Sequence, residues 1–398
     1  MSPWFAFAVS TVLWTVTLLF CGVGLFWLYE VLVLTRPPDD QPLEHGPDDV
    51  QVRILTIDAE DVVQRTVDSL PSTLTDRHVI AEEPIAIDGA EVHVVPESFS
   101  CEAVRKSRAT EWARQALSCD REYVLYLDED SLVGEFRGLP DADVVQFTER
   151  PRRTNSWLAY LADVYRMGAQ IEQRAFHRLR IPLFAWGGGI AVRHSLEQEI
   201  TWDRPTLVED TAFLWQAARN TAVSYALSPD SFANQAPPSL GEIFQQRRRW
   251  AAGNHQEANN LPLRYRLLAK HRSYAWAVSP IVPFIALFAA MGGLHLVYGL
   301  LLQIVYGLLL QIVSFTLGLL MVVRFVLGLR HYEQLTLRSL PLVALVPLAA
   351  LVHSVGATAG LVAPPDDFHV TEKATDSSST DRADSSPTPA AGRSEDAS

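Results

Sequence analysis

Lysine is nearly missing from this sequence: of 33 basic residues only Lys106, Lys270 and Lys373 are lysines. Against them stand 46 acids, for a formal charge of −13. A chain so negative is repelled by a phosphate backbone, which excludes nucleic acid as a partner. The same acidic, Lys-poor surface stays hydrated in concentrated salt, as a halophilic protein's must. The other reading is a GC-rich coding bias that turns Lys into Arg. Cysteine is scarce too. Cys21, Cys101 and Cys119 have neither metal-ligand spacing nor the numbers for a disulfide framework, so nothing demands an oxidising compartment.

Polar residues are sparse in two long stretches, and there the 48% hydrophobic content is concentrated. Residues 4–28 are apolar over the roughly 20 positions that a bilayer span requires, with Trp4 and Trp27 placed as interfacial rings. The segment lacks a basic start and a small-residue end, so it reads as a retained anchor rather than a signal peptide. From Ala275 to Gly328 the apolar run exceeds two span lengths, which predicts two helices with a turn near Gln303 or Gln311, and a further span follows from about Leu340 to Ala363. A perfect tandem repeat, VYGLLLQI at 297–304 and 305–312, lies inside that pair and blurs the span boundaries.

These stretches divide the chain into an N-terminal transmembrane anchor (1–35), a globular domain ending in amphipathic interface helices (36–274), three transmembrane helices (275–363) and a disordered acidic tail (364–398). Arg247, Arg248, Arg249, Arg264, Arg266, Lys270 and Arg272 precede the second span, and Arg324, Arg330 and Arg338 surround the loop after the third. Basic loops stay inside, so the expectation is a multi-pass cell-membrane protein with its globular domain cytoplasmic and both termini outside.

Between the spans, apolar runs at 52–57, 78–81, 91–95 and 123–127 alternate with helical patterns at 61–70 and 102–117. That alternation predicts an α/β domain on a parallel sheet covered on both faces, with ligands at the strands' carboxyl ends. At such an end stand Asp128, Glu129 and Asp130. Carboxylates at i and i+2 after a buried strand can share a divalent ion that grips two phosphates, or can form a plain solvated turn. Trp186-Gly187-Gly188-Gly189 reads either as a hairpin turn or as backbone that approaches a sugar closely. Glu209 and Asp210 open the helical run TAFLWQAARN, where an acid caps the helix or, as Asp210, serves as a catalytic base. Residues 242–257 form a basic, aromatic amphipathic stretch with Gln246, Arg249 and Trp250, suited to an interface.

In this order the pieces resemble the membrane-bound family 2 glycosyltransferases, whose pattern is an acidic pair, DxD, ED and then QxxRW before transmembrane helices. Here the last three stand as Asp128-Glu129-Asp130, Glu209-Asp210 and Gln246-Arg247-Arg248-Arg249-Trp250, over a resemblance that covers residues 50–365. The segments YVLYLDEDS and 156–176 look closest to egghead-type β-1,4-mannosyltransferases. The resemblance implies a nucleotide-sugar-binding, Rossmann-like domain of the glycosyltransferase A type. It implies inverting transfer of a hexose, mannose favoured, from GDP-mannose or a UDP-sugar to a lipid-linked or glycan acceptor at the membrane.

The cofactor implied is Mg²⁺ or Mn²⁺ on Asp128 and Asp130, with Asp210 as base. Donor contacts would come from Glu82, Glu83, Lys106, Arg108, Glu129, Gln246 and Arg249, and acceptor contacts from Trp250, Trp186, Gly187, Gly188 and Glu209. Glu82 and Glu83 depart from the pattern, which places Asp after the second strand. Cellulose and hyaluronan synthase-like enzymes share QxxRW and make a processive polymerase the alternative, although they carry more spans. A non-catalytic nucleotide-binding protein and a sugar-phosphate transferase are the readings from other classes.

Overall fold

The computed structural model describes residues 3–37, 41–154, 156–290, 308–332 and 339–365. Its centre is one seven-stranded sheet in the order β3-β2-β1-β4-β6-β5-β7. The strands are β1 (Val50–Thr56), β2 (Asp76–Ala81), β3 (Glu91–Val94), β4 (Tyr123–Asp128), β5 (Val144–Arg152), β6 (Gly189–Arg193) and β7 (Tyr225–Gln235). β1 is buried along its whole length and β4 everywhere but its last residue. A strand covered on both faces gains from apolar side chains, which is why YVLYL of β4 is unbroken; β1 also buries Gln51 and Arg53, the latter paired with Glu197.

The parallel expectation holds for β1 to β4. It fails at β6, which runs antiparallel to both β4 and β5, while β7 is again parallel to β5. Nothing local distinguishes a parallel from an antiparallel neighbour for GIAVR: direction is set by the long path from β5 through the helices that precede Gly189.

Seven helices belong to this centre: α2 (Glu60–Ser69), α3 (Lys106–Ala116), α4 (Trp157–Met167), α5 (His194–Glu199), α6 (Glu209–Asn220), α7 (Leu240–Glu257) and α8 (Leu263–Val278). The Ser239 hydroxyl starts α7 by accepting from the Glu242 N–H at 3.1 Å, satisfying one of the donors that a helix leaves open at its first turn.

Among the described residues, two helices are long and apolar enough to cross a membrane, Phe7–Leu34 and Leu308–His331, and Val346–Val362 is apolar but shorter. The first combines α1 (Pro3–Tyr29) with one wider turn at Glu30–Leu34. The apolar region after 275 is divided differently from the expectation. Ala275 lies inside α8, which ends at Val278 before Pro280, and α9 follows at Ile281–Ala290. Helix α10 (Leu308–Tyr332) runs straight through Gln311, so no turn occurs there. Gln303, the first copy of the repeat and the tail from 366 lie outside the described residues. The last apolar stretch is a single turn, α11 (Leu340–Val343), followed by α12 (Val346–Val362). Trp27 is not an interfacial ring: it is 6% exposed, whereas Trp4 is 83% exposed.

The apolar helices do not hang apart from the centre. Val16 of α1, Leu317, Met321 and Phe325 of α10, and Ala349 and Ala350 of α12 share one core with Tyr160, Leu161 and Val164 of α4. Glycines permit the closest approaches. A Cβ on Gly328 would lie 1.8 Å from the Val164 carbonyl, and one on Gly360 2.2 Å from the Arg248 carbonyl. Gly356 and Gly360, one turn apart on α12, thus let that helix lie directly on the backbone of α7, the small-residue packing common between apolar helices.

Candidate active site

Two separate elements bring acids to the carboxyl edge of the sheet, and a third brings the cation between them. Asp128 ends β4, and Glu209 and Asp210 begin α6. All converge on Lys106, the first residue of α3. Its Nζ stands 2.7 Å from Asp128 Oδ1, 3.1 Å from Glu209 Oε1 and 3.8 Å from Asp210 Oδ1. Arg105, just before it, takes φ of 54°. That left-handed conformation costs a non-glycine residue roughly 1–3 kcal/mol and is tolerated where surrounding structure enforces it.

The field in this cluster is set by burial competing with charge. Burial pushes the Asp210 carboxyl up, Lys106 opposes it, and Glu209 and Asp128 reinforce it, which leaves its pKa at about 7. Burial works against the Lys106 ammonium, but Asp128, Asp210 and Glu209 outweigh it and hold its pKa well above the usual value. Asp210 is not a helix cap. The capping position is Val208, with no side-chain hydrogen bond, and Asp210 lies inside the first turn.

Gly187 closes over the acids. A Cβ there would lie 2.2 Å from Asp210 Oδ2, and one on Gly188 2.3 Å from the Phe232 ring, so both positions need glycine for space. Trp186 is fixed by its own backbone, whose N–H donates to Gln146 Oε1 at 3.1 Å. Glu129 accepts from the Thr56 hydroxyl at 2.8 Å. Asp130, almost fully buried, accepts from the Gln235 N–H at 2.8 Å.

Helix α7 brings in the rest. Gln246, Arg249 and Trp250, spaced i, i+3 and i+4, share a face and line the same cavity. Arg249 donates to the Leu207 carbonyl at 2.9 Å. Burial pushes its guanidinium below the usual value, against the pull of Glu209, Asp128 and Asp210. Arg247 turns the other way. It is fully buried and pairs with Asp163 of α4 at 2.8 Å, so it is no cytoplasmic-loop charge. Asp163 also holds Arg166, which reaches Glu149. The Trp250 ring stacks under Arg247, 4.5 Å from guanidinium carbon to ring centre, and under Arg166 at 5.8 Å.

One cavity of about 1110 Å³ is lined by all fifteen residues singled out in the sequence, from Glu82 and Glu83 through to Trp250. Glu82 is already engaged by Arg108, which also holds the carbonyls of Pro96 and Phe99. The cavity extends beyond the acids to Trp27 of α1, Arg324 of α10 and His353 of α12. Sequence reasoning missed this end, together with Arg166, Arg272 and Asn234. Buried charges on helix faces carry no local signal beyond their presence in an apolar context, which for Glu30 beside Arg272 was available.

The family model for glycosyl transferase family group 2 matches residues 123–328, more than half of the chain, from the start of β4 into α10. The chain belongs to this glycosyltransferase family. Among solved structures it is similar to the mannosyltransferase PcManGT from Pyrobaculum calidifontis in complex with GDP-Man and Mn²⁺, at 16% identity and TM-score 0.49, covering 91% of this chain and 99% of that one. It is also similar to glucosyl-3-phosphoglycerate synthase from Mycobacterium tuberculosis in complex with Mn²⁺, UDP and phosphoglyceric acid, at 15% identity and TM-score 0.36, covering 54% and 80%. No curated protein matches the sequence. As in any glycosyltransferase of this group, the reaction to be accounted for is transfer of a glycosyl unit.

Proposed function

We propose that this glycosyltransferase moves a hexose, mannose favoured, from a nucleoside-diphosphate sugar to a lipid-linked or glycan acceptor, with inversion at the anomeric carbon. The observation that carries this reading is the convergence of Asp128, Glu209 and Asp210 on one cation, inside a cavity that continues to the apolar helices α1, α10 and α12.

The donor set fits a divalent ion. Asp128 already offers an oxygen to a cation at 2.7 Å, and hard carboxylate oxygens suit Mg²⁺ or Mn²⁺. Asp128 and Asp130 would hold that ion, which supplies charge neutralisation to the diphosphate. The chain's own groups do the rest. Arg249 and Gln246 approach from α7 and donate to the leaving diphosphate, on which negative charge builds as the glycosidic bond breaks. Lys106 adds a further positive charge beside Asp128. Arg108 and the Glu82-Glu83 turn border the end where a nucleoside would lie.

Asp210 accepts the proton of the acceptor hydroxyl as that oxygen attacks the face opposite the diphosphate. Its pKa of about 7 matches a base that works near neutrality. Trp250, Trp186 and the Gly187-Gly188 backbone line the acceptor side. A lipid-linked acceptor fits because this side opens toward Trp27 and Arg324, each on a helix long and apolar enough to span a membrane.

The test is to incubate membranes containing the protein with a panel of labelled nucleotide sugars and follow label into lipid. Release of a nucleoside diphosphate with label in a lipid of fixed size supports the proposal. A polymer of growing length indicates a processive synthase, a nucleoside monophosphate indicates sugar-phosphate transfer, and no product with retained nucleotide binding indicates a non-catalytic protein.

A further inference from the structure

The edge of the sheet carries a second cluster that the transfer reaction does not use. Strands β2 and β3 run parallel with His78 opposite Glu91 and Ile80 opposite His93. Alternate residues of a strand share a face, so His78, Glu91 and His93 project from the same side. His78 Nδ1 and His93 Nε2 face each other at 2.9 Å. Glu91 reaches over both, with its oxygens 3.8 Å from His78 Nδ1 and 3.6 Å from His93 Nε2. One ligand atom from each residue falls within 4.8 Å of the others.

We propose that His78, Glu91 and His93 form a site for one divalent transition-metal ion of Zn²⁺ character, separate from the acids around Lys106. The outer partner is already in place. Asp76 accepts from His78 Nε2 at 2.7 Å, and a carboxylate can only accept, so His78 is held as the Nε2–H tautomer with the Nδ1 lone pair toward the cluster.

Without the ion, the facing pair is one hydrogen bond, with His93 Nε2–H donating to His78 Nδ1. On binding, the proton of His93 moves to its Nδ1, both facing nitrogens present lone pairs, and no net proton is released. With metal–nitrogen bonds of about 2.0–2.1 Å, nitrogens 2.9 Å apart subtend about 90° at the ion, and a tetrahedral angle needs roughly 0.4 Å more separation. Two imidazoles and one carboxylate select a borderline ion over Mg²⁺ or Ca²⁺, which favour all-oxygen sets. The two histidines are only 12% and 17% exposed while Glu91 is 68% exposed, so Glu91 can swing in and leaves a coordination position to water. Filling the site would fasten the four-residue edge strand β3 to β2, just before Val94 and Val95 reach the donor cavity.

The experiment uses the full chain in detergent, stripped with a chelator and dialysed against Zn²⁺ in excess Mg²⁺, with bound metal counted by elemental analysis. The expected result is one Zn²⁺ per chain in the wild type and in D128N. The H78Q/H93Q double variant should lose it, and D76N should bind about 10- to 100-fold more weakly. On the wild type alone, Zn²⁺ should shield His78 and His93 from diethyl pyrocarbonate, mapped by mass spectrometry. Zn²⁺ uptake unchanged in the double variant, no uptake by the wild type, or no shielding of the two histidines would overturn the proposal.

Discussion

Gly187→Ala tests the geometry of the proposed base with a single methyl group. Gly187 is not among the described glycines with positive φ, so alanine meets no backbone penalty and the whole effect is spatial. The new Cβ would stand 2.2 Å from Asp210 Oδ2, 2.9 Å from Asp210 Cγ and 3.0 Å from Lys106 Nζ, where ordinary contact begins at 3.4 Å. The carboxylate must therefore retreat by roughly 1 Å, and a displacement of that size from a reacting group costs on the order of 10²-fold in rate, about 2.7 kcal/mol of barrier. The assay is initial-rate release of nucleoside diphosphate by the purified protein, with donor affinity measured in parallel. Turnover should fall about 10²-fold while donor binding is kept. Gly134→Ala, where nothing lies within 4 Å, should be neutral. If both changes act through Asp210, the G187A/D210N pair should be no slower than D210N alone. A folded G187A enzyme with near wild-type turnover would refute the placement of Asp210 at the reacting hydroxyl.

Further outcomes follow from the same geometry. Asp210→Asn should lower kcat by about 10²- to 10⁴-fold with the donor still bound, and normal turnover would remove Asp210 from the mechanism. Because the base must be ionised to accept a proton, kcat/KM should fall as pH drops below about 7, the value to which burial pushes Asp210, and this limb should vanish in D210N. Stripping with a chelator should abolish turnover, and Mn²⁺ or Mg²⁺ should restore it; activity that survives chelation would exclude a metal on Asp128 and Asp130. Gly360→Ala places a Cβ 2.2 Å from the Arg248 carbonyl. Neither helix backbone gives easily, so α7 and α12 must part at a cost of about 1–3 kcal/mol, readable as a lower melting temperature in detergent.

Part of this molecule is written locally. The runs at 52–57, 78–81, 91–95 and 123–127 became β1 to β4 within a residue or two; for β1 and β4, which are buried on both faces, burial favours apolar side chains, while β2 and the exposed edge strand β3 carry mixed polar and apolar residues. Asp128 could be set at a carboxyl edge because it follows such a run, and Gln246, Arg249 and Trp250 could be put on one face by helical spacing alone. The helix opened by Glu209 and Asp210 was equally local.

Other decisions needed the assembled chain. The antiparallel direction of β6, the burial of Trp27, the pairing of Arg247 with Asp163 and the capture of Lys106 by three acids each join residues far apart in sequence. The same holds for His78 and His93, which meet only because β2 and β3 pair in one register. A chain's periodicity records which side of each element is dry. Which dry sides meet, and therefore which charges share a cavity, is decided by packing among all the elements at once.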